Sequence, residues 1–405
     1  MPRLSVAILV VSTLAAAPPA AGSCGAALVT ELGTVFPVTD TRVSSVVRTD
    51  VKRHPAVAGA LRYMRLQLKR TGSAPADWRV HLREPSTGRL LQRLGPEDLR
   101  EDATFWSDRL ALSEVLITFA PISKAETPDV VVSVMSYFAM PVAGEFHFYS
   151  AVDSNNPGWG DLHSAARPDR WQRLGDSIGI IVLRGAGKAS TCTGTAVGDG
   201  LFLTNWHCGA VSVGGALIPG AFWDQAVCEE ALIDFSWDDD AISDDFRCVG
   251  VLAQDSTLDY ALLAIESVSG ASTVGPVAIF PAPLALHDSI TLIHHPQALS
   301  KKISLGCTMV SDTPRTSWIG NLQDTEFFHR CDTEGGSSGA PVFDREGRLR
   351  ALHHLGYDRN PVTCAPAEGE GGSHNKAVWI SKIVDDLANK GFVLSGEGYI
   401  DIAAE

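Results

Sequence analysis

The sequence predicts a mainly β protein, a barrel or sandwich of short strands preceded by a smaller β-rich unit. Three observations carry this. Apolar runs are short, as at residues 201–204, 261–265 and 289–293, and Gly, Pro, Asn and Asp separate them. Long amphipathic segments do not alternate with these runs, which argues against a parallel α/β sheet. The chain has 405 residues, 45% of them hydrophobic, enough for two or three ordinary cores, so more than one domain is expected.

In chain order, residues 1–23 read as a secretory signal peptide. Arg3 gives a positive start, residues 4–17 an apolar stretch, and Ala15, Ala17, Ala20 and Ala21 the small residues of a cleavage region. No later stretch approaches the roughly 18 to 20 continuous apolar residues of a membrane span, so an exported, secreted or periplasmic protein is expected. Ala21 replaces the usual aliphatic residue of a lipoprotein box, which makes lipid anchoring at Cys24 the less favoured alternative.

Residues 24–150 are expected to form a β-rich N-terminal domain or propeptide. Residues 78–82 alternate apolar and polar, 85–88 (PSTG) is a turn, and 112–119 and 130–135 are β-rich. Phe105 and Trp106 read as core aromatics. Residues 151–171 are rich in turn formers and read as a linker. Residues 172–395 form the main domain, whose one helical pattern, 380–389, ends at Lys390-Gly391. Residues 396–405 are a tail.

Charge and cysteines exclude several function classes. With 33 basic against 47 acidic residues the net charge is −14, and no Lys/Arg run is present, so nucleic acid is not an expected partner. Eight cysteines in an exported chain without a CxxC pair read as disulfides, not metal ligands. The pairs His294-His295 and His353-His354 lack carboxylates or cysteines at ligand spacing, so neither a metal nor another cofactor is expected. Asp238-Asp239-Asp240 with Asp244-Asp245 lacks the alternation and closing glutamate of a calcium loop and reads as a solvated acidic loop.

Three segments carry chemistry. In Thr204-Asn205-Trp206-His207-Cys208 a histidine sits beside a cysteine, which suits a rigidly held general base. In Asp259-Tyr260-Ala261-Leu262-Leu263 a carboxylate opens an apolar strand, where it can accept from an imidazole and fix its tautomer. Cys331 to Pro341, CDTEGGSSGAP, sets two serines among glycines whose N–H groups can converge on an oxyanion.

In the order His, Asp, Ser, these boxes resemble the chymotrypsin-like (trypsin-like) serine peptidases over roughly residues 170–390. The resemblance implies a chymotrypsin-like double β-barrel with a C-terminal helix. It makes His207 the base, Asp259 its orienter, Ser338 the nucleophile, and the N–H groups of Gly336 and Ser338 the oxyanion donors. Ser337 stands where animal digestive members hold an aspartate that pairs with a new N-terminal amine. That departure, with Thr333-Glu334, His294-His295-Pro296 and Lys302-Ile303-Ser304, resembles the bacterial branch of lysyl and glutamyl endopeptidases.

The resemblance also places the S1 pocket among Asp332, Thr333, His353 and Gly356. Thr333 and His353 resemble an acid-binding pair, whereas Asp332 resembles the aspartate that selects Lys or Arg, and the two imply opposite P1 charges. Residues 368–372 would form a rim loop. Cys192–Cys208 matches the family's histidine-loop staple, Cys228–Cys248 is plausible by proximity, and Cys24, Cys307, Cys331 and Cys364 have three possible pairings. The expected partners are protein or peptide substrates of a monomeric peptidase made as a zymogen. A catalytically inactive binding or adhesion protein on the same fold is the alternative, and an upstream pro-region is usual in the family.

Overall fold

Several strands between residues 178 and 379 are buried at every position, among them Leu201–Thr204, Glu326–His329 and Asn375–Trp379. Such strands need cover on both faces. Curling a sheet into a barrel covers one face and packing two barrels together covers the other. The computed structural model describes residues 30–37, 42–44, 49–52, 61–72, 78–96, 98–99, 104–107, 110, 112, 114–121, 130–141, 158–164, 167–185, 188–209, 212–213, 216–217, 223–237, 245–268, 272–311, 324–356 and 374–403. The expected signal peptide, Cys24, Cys364, residues 238–244 of the acidic loop and the 368–372 rim loop lie outside these residues.

The protein is mainly β and contains two closed six-stranded antiparallel barrels, the double barrel that the resemblance implies. The first runs Ile178–Gly185, Leu232–Asp234, Asp245–Asp255, Tyr260–Ser267, Leu201–Thr204, Lys188–Gly198 and back to Ile178–Gly185. The second runs Lys302–Ser311, Ser289–His294, Pro341–Phe343, Leu349–Leu355, Asn375–Trp379, Glu326–His329 and closes on Lys302–Ser311. One apolar core joins them, with Leu203, Tyr260 and Leu262 from the first barrel against Phe343, Leu352 and Val378 from the second.

The helix Ile380–Asn389 forms where its spacing predicts and buries Ile380, Ile383 and Leu387. Gly391, at φ 88°, lets the chain leave it. Its polar side is tied to the first barrel: the Tyr260 hydroxyl donates to Asp386 at 2.5 Å, and Lys390 Nζ donates to the Gln254 carbonyl at 2.9 Å.

Three stretches differ from the expected boundaries. Within the supposed linker, Trp159–Asp161 pairs with Lys302–Ser311, and the helix Asp169–Gly175 buries Trp171 in the shared core. Turn formers mark bends but say nothing of what the chain leans on between them. The supposed tail is a hairpin, Phe392–Leu394 with Ile400–Ile402, and Ile400 joins the core. At the other end the N-terminal strands continue the first barrel's sheet. Thr30–Pro37 pairs with Lys188–Gly198 on one side and Val131–Pro141 on the other, and Leu61–Thr71 and Thr104–Trp106 extend it. The pairing covers part of a long strand edge that would otherwise present open N–H and C=O groups.

A second core, with Trp78, Val80, Leu66 and Phe105, sits inside the N-terminal strands. A buried ion cluster fastens them to the barrel. Arg65, 1% exposed, meets Asp245 at 2.5 and 3.0 Å and Asp234 at 3.3 Å. Asp245, expected in a solvated loop, is therefore a buried partner, because an arginine distant in sequence neutralises it.

Candidate active site

His207 follows the strand Leu201–Thr204, in a single 3₁₀ turn closed by the Cys192–Cys208 disulfide. Asp259 lies at the turn between Asp245–Asp255 and Tyr260–Ser267, with φ 48°, a left-handed conformation that costs energy for a residue with a Cβ. Contacts on both sides of its peptide hold it there. Asn205 Nδ2 donates to the Asp259 carbonyl at 2.7 Å, and the His207 backbone N–H donates to Asp259 Oδ1 at 2.9 Å. Asp259 Oδ2 lies 2.7 Å from His207 Nδ1. Burial alone would raise the Asp259 carboxyl, but His207 and His354 outweigh it and hold the group below its ordinary value. An ionised Asp259 only accepts, so Nδ1 of His207 carries a proton and Nε2 is the nitrogen that can act as a base.

Ser338 comes from the second barrel, in the loop before Pro341–Phe343. Gly336 and Gly339, at φ 93° and 83°, shape the loop, and a Cβ on Gly339 would lie 2.1 Å from the Thr193 carbonyl. Thr193 staples this loop to the first barrel: its N–H donates to the Ser338 carbonyl and its hydroxyl to the Gly336 carbonyl, both at 2.8 Å. The Ser338 hydroxyl faces the His354 carbonyl at 3.5 Å. Among the described residues, neither the Gly336 nor the Ser338 N–H donates a hydrogen bond, so both can serve a substrate oxygen.

Ser337 stands in a neutral hydrogen-bonded file. The Glu334 N–H donates to Ser337 Oγ at 3.1 Å, and Ser337 Oγ lies 2.7 Å from His294 Nδ1. His294 Nε2 lies 3.3 Å from Ser304 Oγ, which donates to the Asp332 carbonyl at 3.0 Å. Burial, with neighbouring His295 and His329, keeps His294 well below its ordinary value and hence neutral. The loop that carries Ser338 is thus braced from within.

Residues 192–352 match the family profile described as "Trypsin-like peptidase domain". The chain carries a trypsin-like peptidase domain. Two curated relatives align with it: "Secreted RxLR effector protein 73" of Plasmopara viticola, 23% identical over 55% of this chain, and "Serine protease FAM111A" of Mus musculus, 26% identical over 49%. The chain spans 51% of the first relative's length and 36% of the second's. Among solved structures, an inactive Ser343Ala mutant of Rv3671c from M. tuberculosis is 15% identical, covers 54% of this chain and 90% of its own, and gives a TM-score of 0.37. A Glu endopeptidase is 17% identical, covers 57% and 95%, and gives the same score.

In the peptidase domain the expected S1 residues fall in two groups. Asp332 Oδ2 accepts from the Gly158 N–H at 2.5 Å, so that carboxylate is engaged by backbone outside the barrels. Thr333 and His353 are buried, and Gly356 follows the end of Leu349–Leu355. The Cys331 N–H donates to His329 Nδ1 at 3.2 Å, which places the His329 proton on Nε2. That nitrogen lies 3.1 Å from His353 Nδ1, so His353 carries its own proton on Nε2. Burial pushes His329 down to about 3 and His353 well below its ordinary value, and both rings are neutral.

Sequence reasoning gave no role to His354, Glu326 and Thr193, and it named His294 and Ser304 only as part of a family resemblance. The signal for His354 was present: adjacent residues of one strand face opposite sides, so His353 and His354 cannot share a pocket. Among the described residues the disulfides are Cys192–Cys208, Cys228–Cys248 and Cys307–Cys331. Cys192, His207 and Cys208 cluster within metal-ligand reach, but the two sulfurs are bonded to each other and offer no thiolate. Three disulfides are consistent with an extracellular or periplasmic protein, and no described helix is long and apolar enough to cross a membrane.

Proposed function

We propose that the protein is a secreted serine endopeptidase that uses His207, Asp259 and Ser338 and cleaves after acidic residues. The observation that carries the reading is the buried hydrogen-bonded pair of His207 and Asp259 beside a glycine-shaped loop in which Ser338 and two undonated N–H groups meet. Ser338 Oγ attacks the scissile carbonyl while His207 Nε2 takes its proton, and Asp259 stabilises the imidazolium. The N–H groups of Gly336 and Ser338 bind the tetrahedral oxyanion, each worth about 3 to 4 kcal/mol of barrier. His207 then protonates the leaving amine, and water repeats the steps on the acyl-enzyme.

Acidic P1 selection is supported by His353, whose Nε2–H is a donor suited to a carboxylate, and by Asp332, whose carboxylate is occupied by Gly158. The test is a quenched peptide library varied at P1. The expected result is cleavage after Glu and Asp that Ser338→Ala abolishes without unfolding the protein. Preferential cleavage after Lys or Arg would return the pocket to Asp332, and full hydrolysis by clean Ser338→Ala would move the nucleophile elsewhere.

A further inference from the structure

The proposed triad leaves one buried base and one buried acid without a task. His354 lies on Leu349–Leu355 in the second barrel, and its Nδ1 stands 3.1 Å from Asp259 Oδ2, the same oxygen that meets His207 Nδ1 at 2.7 Å. On its far side His354 Nε2 faces Glu326 Oε1 at 3.5 Å. His354 and Glu326 are both 1% exposed and Asp259 is fully buried. Among the described residues, neither His354 Nε2 nor either Glu326 oxygen has a closer hydrogen-bond partner.

Proton bookkeeping fixes the arrangement. Ionised Asp259 accepts only, so His354 must hold a proton on Nδ1 to meet it. A neutral His354 then presents a lone pair at Nε2, and Glu326 satisfies it only as the carboxylic acid. Burial raises the Glu326 carboxyl despite the opposing pull of His354 and Lys376, which favours that acid form. Ionising both members would bury two further charges beside Asp259, at a desolvation cost that one shared proton avoids.

We propose, building on the triad assignment above, that His354 is a positioning residue for the catalytic carboxylate: it donates Nδ1–H to Asp259 Oδ2, and protonated Glu326 donates to its Nε2. The file His207, Asp259, His354, Glu326 then crosses from the first barrel into the second and locks the orientation of Asp259 to the barrel that bears Ser338. With two N–H groups on one oxygen, Asp259 holds the His207 imidazolium less tightly than it would alone. The charged or titratable groups facing His354 are Asp259 and His207 from the first barrel, Glu326 and His329 from Glu326–His329, Lys376 from Asn375–Trp379, and its neighbour His353.

The test measures kcat, KM and the pH profile of kcat/KM, normalised to active-site titre, for His354→Phe, Glu326→Leu and Glu326→Gln. His354→Phe is expected to lower kcat between about 10- and 100-fold with KM little changed, as for a misoriented catalytic group. It should also move the acid limb to higher pH, because an Asp259 freed of one donor stabilises the His207 imidazolium more. A loss of folded protein alone would not move that limb. Glu326→Leu should shift both readings the same way by less, and Glu326→Gln, which restores a donor, should recover most of the loss. If His354→Phe does not fold, the two Glu326 variants decide. A wild-type kcat and limb in His354→Phe, or a Glu326→Gln as impaired as Glu326→Leu, overturns the proposal. Failure of the wild-type protein to react with a fluorophosphonate at Ser338 would instead overturn the triad assignment.

Discussion

At the scale of single residues, the site is a set of buried polar groups whose protonation the fold dictates. Asp259→Asn keeps the shape of the side chain but offers a donor to His207, which disfavours the tautomer with its proton on Nδ1. The expected result is a kcat lower by about 10⁴, normalised to folded protein, with some loss of stability as the new amide donor meets buried N–H groups. His294, His329 and His353 are neutral in the fold, with affinities for protons below those of the unfolded chain. Between the folded and unfolded pKa values the unfolded chain binds more protons, so their stabilisation is complete above about pH 6.5 and is lost as pH falls from there. For His329 the loss continues down to about 3. Urea midpoints measured from pH 7.5 to 5 should fall with an unchanged slope; a flat profile would mean that these rings bind protons in the fold as they do in the unfolded chain. The three chemical boxes were legible in the sequence because each holds its residue types within a few positions. The His294 and His354 files were not, since the first joins residues that the second barrel's closure brings together and the second joins residues from both barrels.

At the scale of elements, the loops that carry the site depend on staples between strands. The Cys192–Cys208 bridge closes a 16-residue separation around the His207 turn. Replacing both cysteines by alanine should cost about 3 kcal/mol in denaturant unfolding and lower kcat as the imidazole gains freedom. Gly339 is a steric requirement, because its φ of 83° and its approach to the Thr193 carbonyl leave no room for a side chain. Gly339→Ala is expected to displace the Ser338 loop and abolish hydrolysis while most of the stability survives; a fully active variant would refute this reading of the seam. The glycines announced a tight loop, but Thr193, which pins it, looked like any strand threonine until the first barrel met the second.

At the scale of the whole molecule, the short strands pointed to a barrel or sandwich and the family resemblance implied the double barrel, whereas neither placed the N-terminal strands. Alternation at residues 78–82 showed β structure but not which edge it would join. The ion cluster of Arg65 with Asp234 and Asp245 bears on that join. Removing the cation should leave two buried carboxylates without it, so Arg65→Ala is expected to cost about 3 to 5 kcal/mol and to speed proteolysis of the N-terminal strands. Unchanged thermal stability would show that the cluster contributes little to holding them. The central claim, that a nucleophilic Ser338 makes this protein a peptidase, is tested most directly by fluorophosphonate labelling of the intact protein, with the adduct located by mass spectrometry. The account predicts one adduct, on Ser338, absent from Ser338→Ala and strongly reduced in His207→Ala. A folded, fully processed protein that takes up no label, or takes it at another residue, would contradict it.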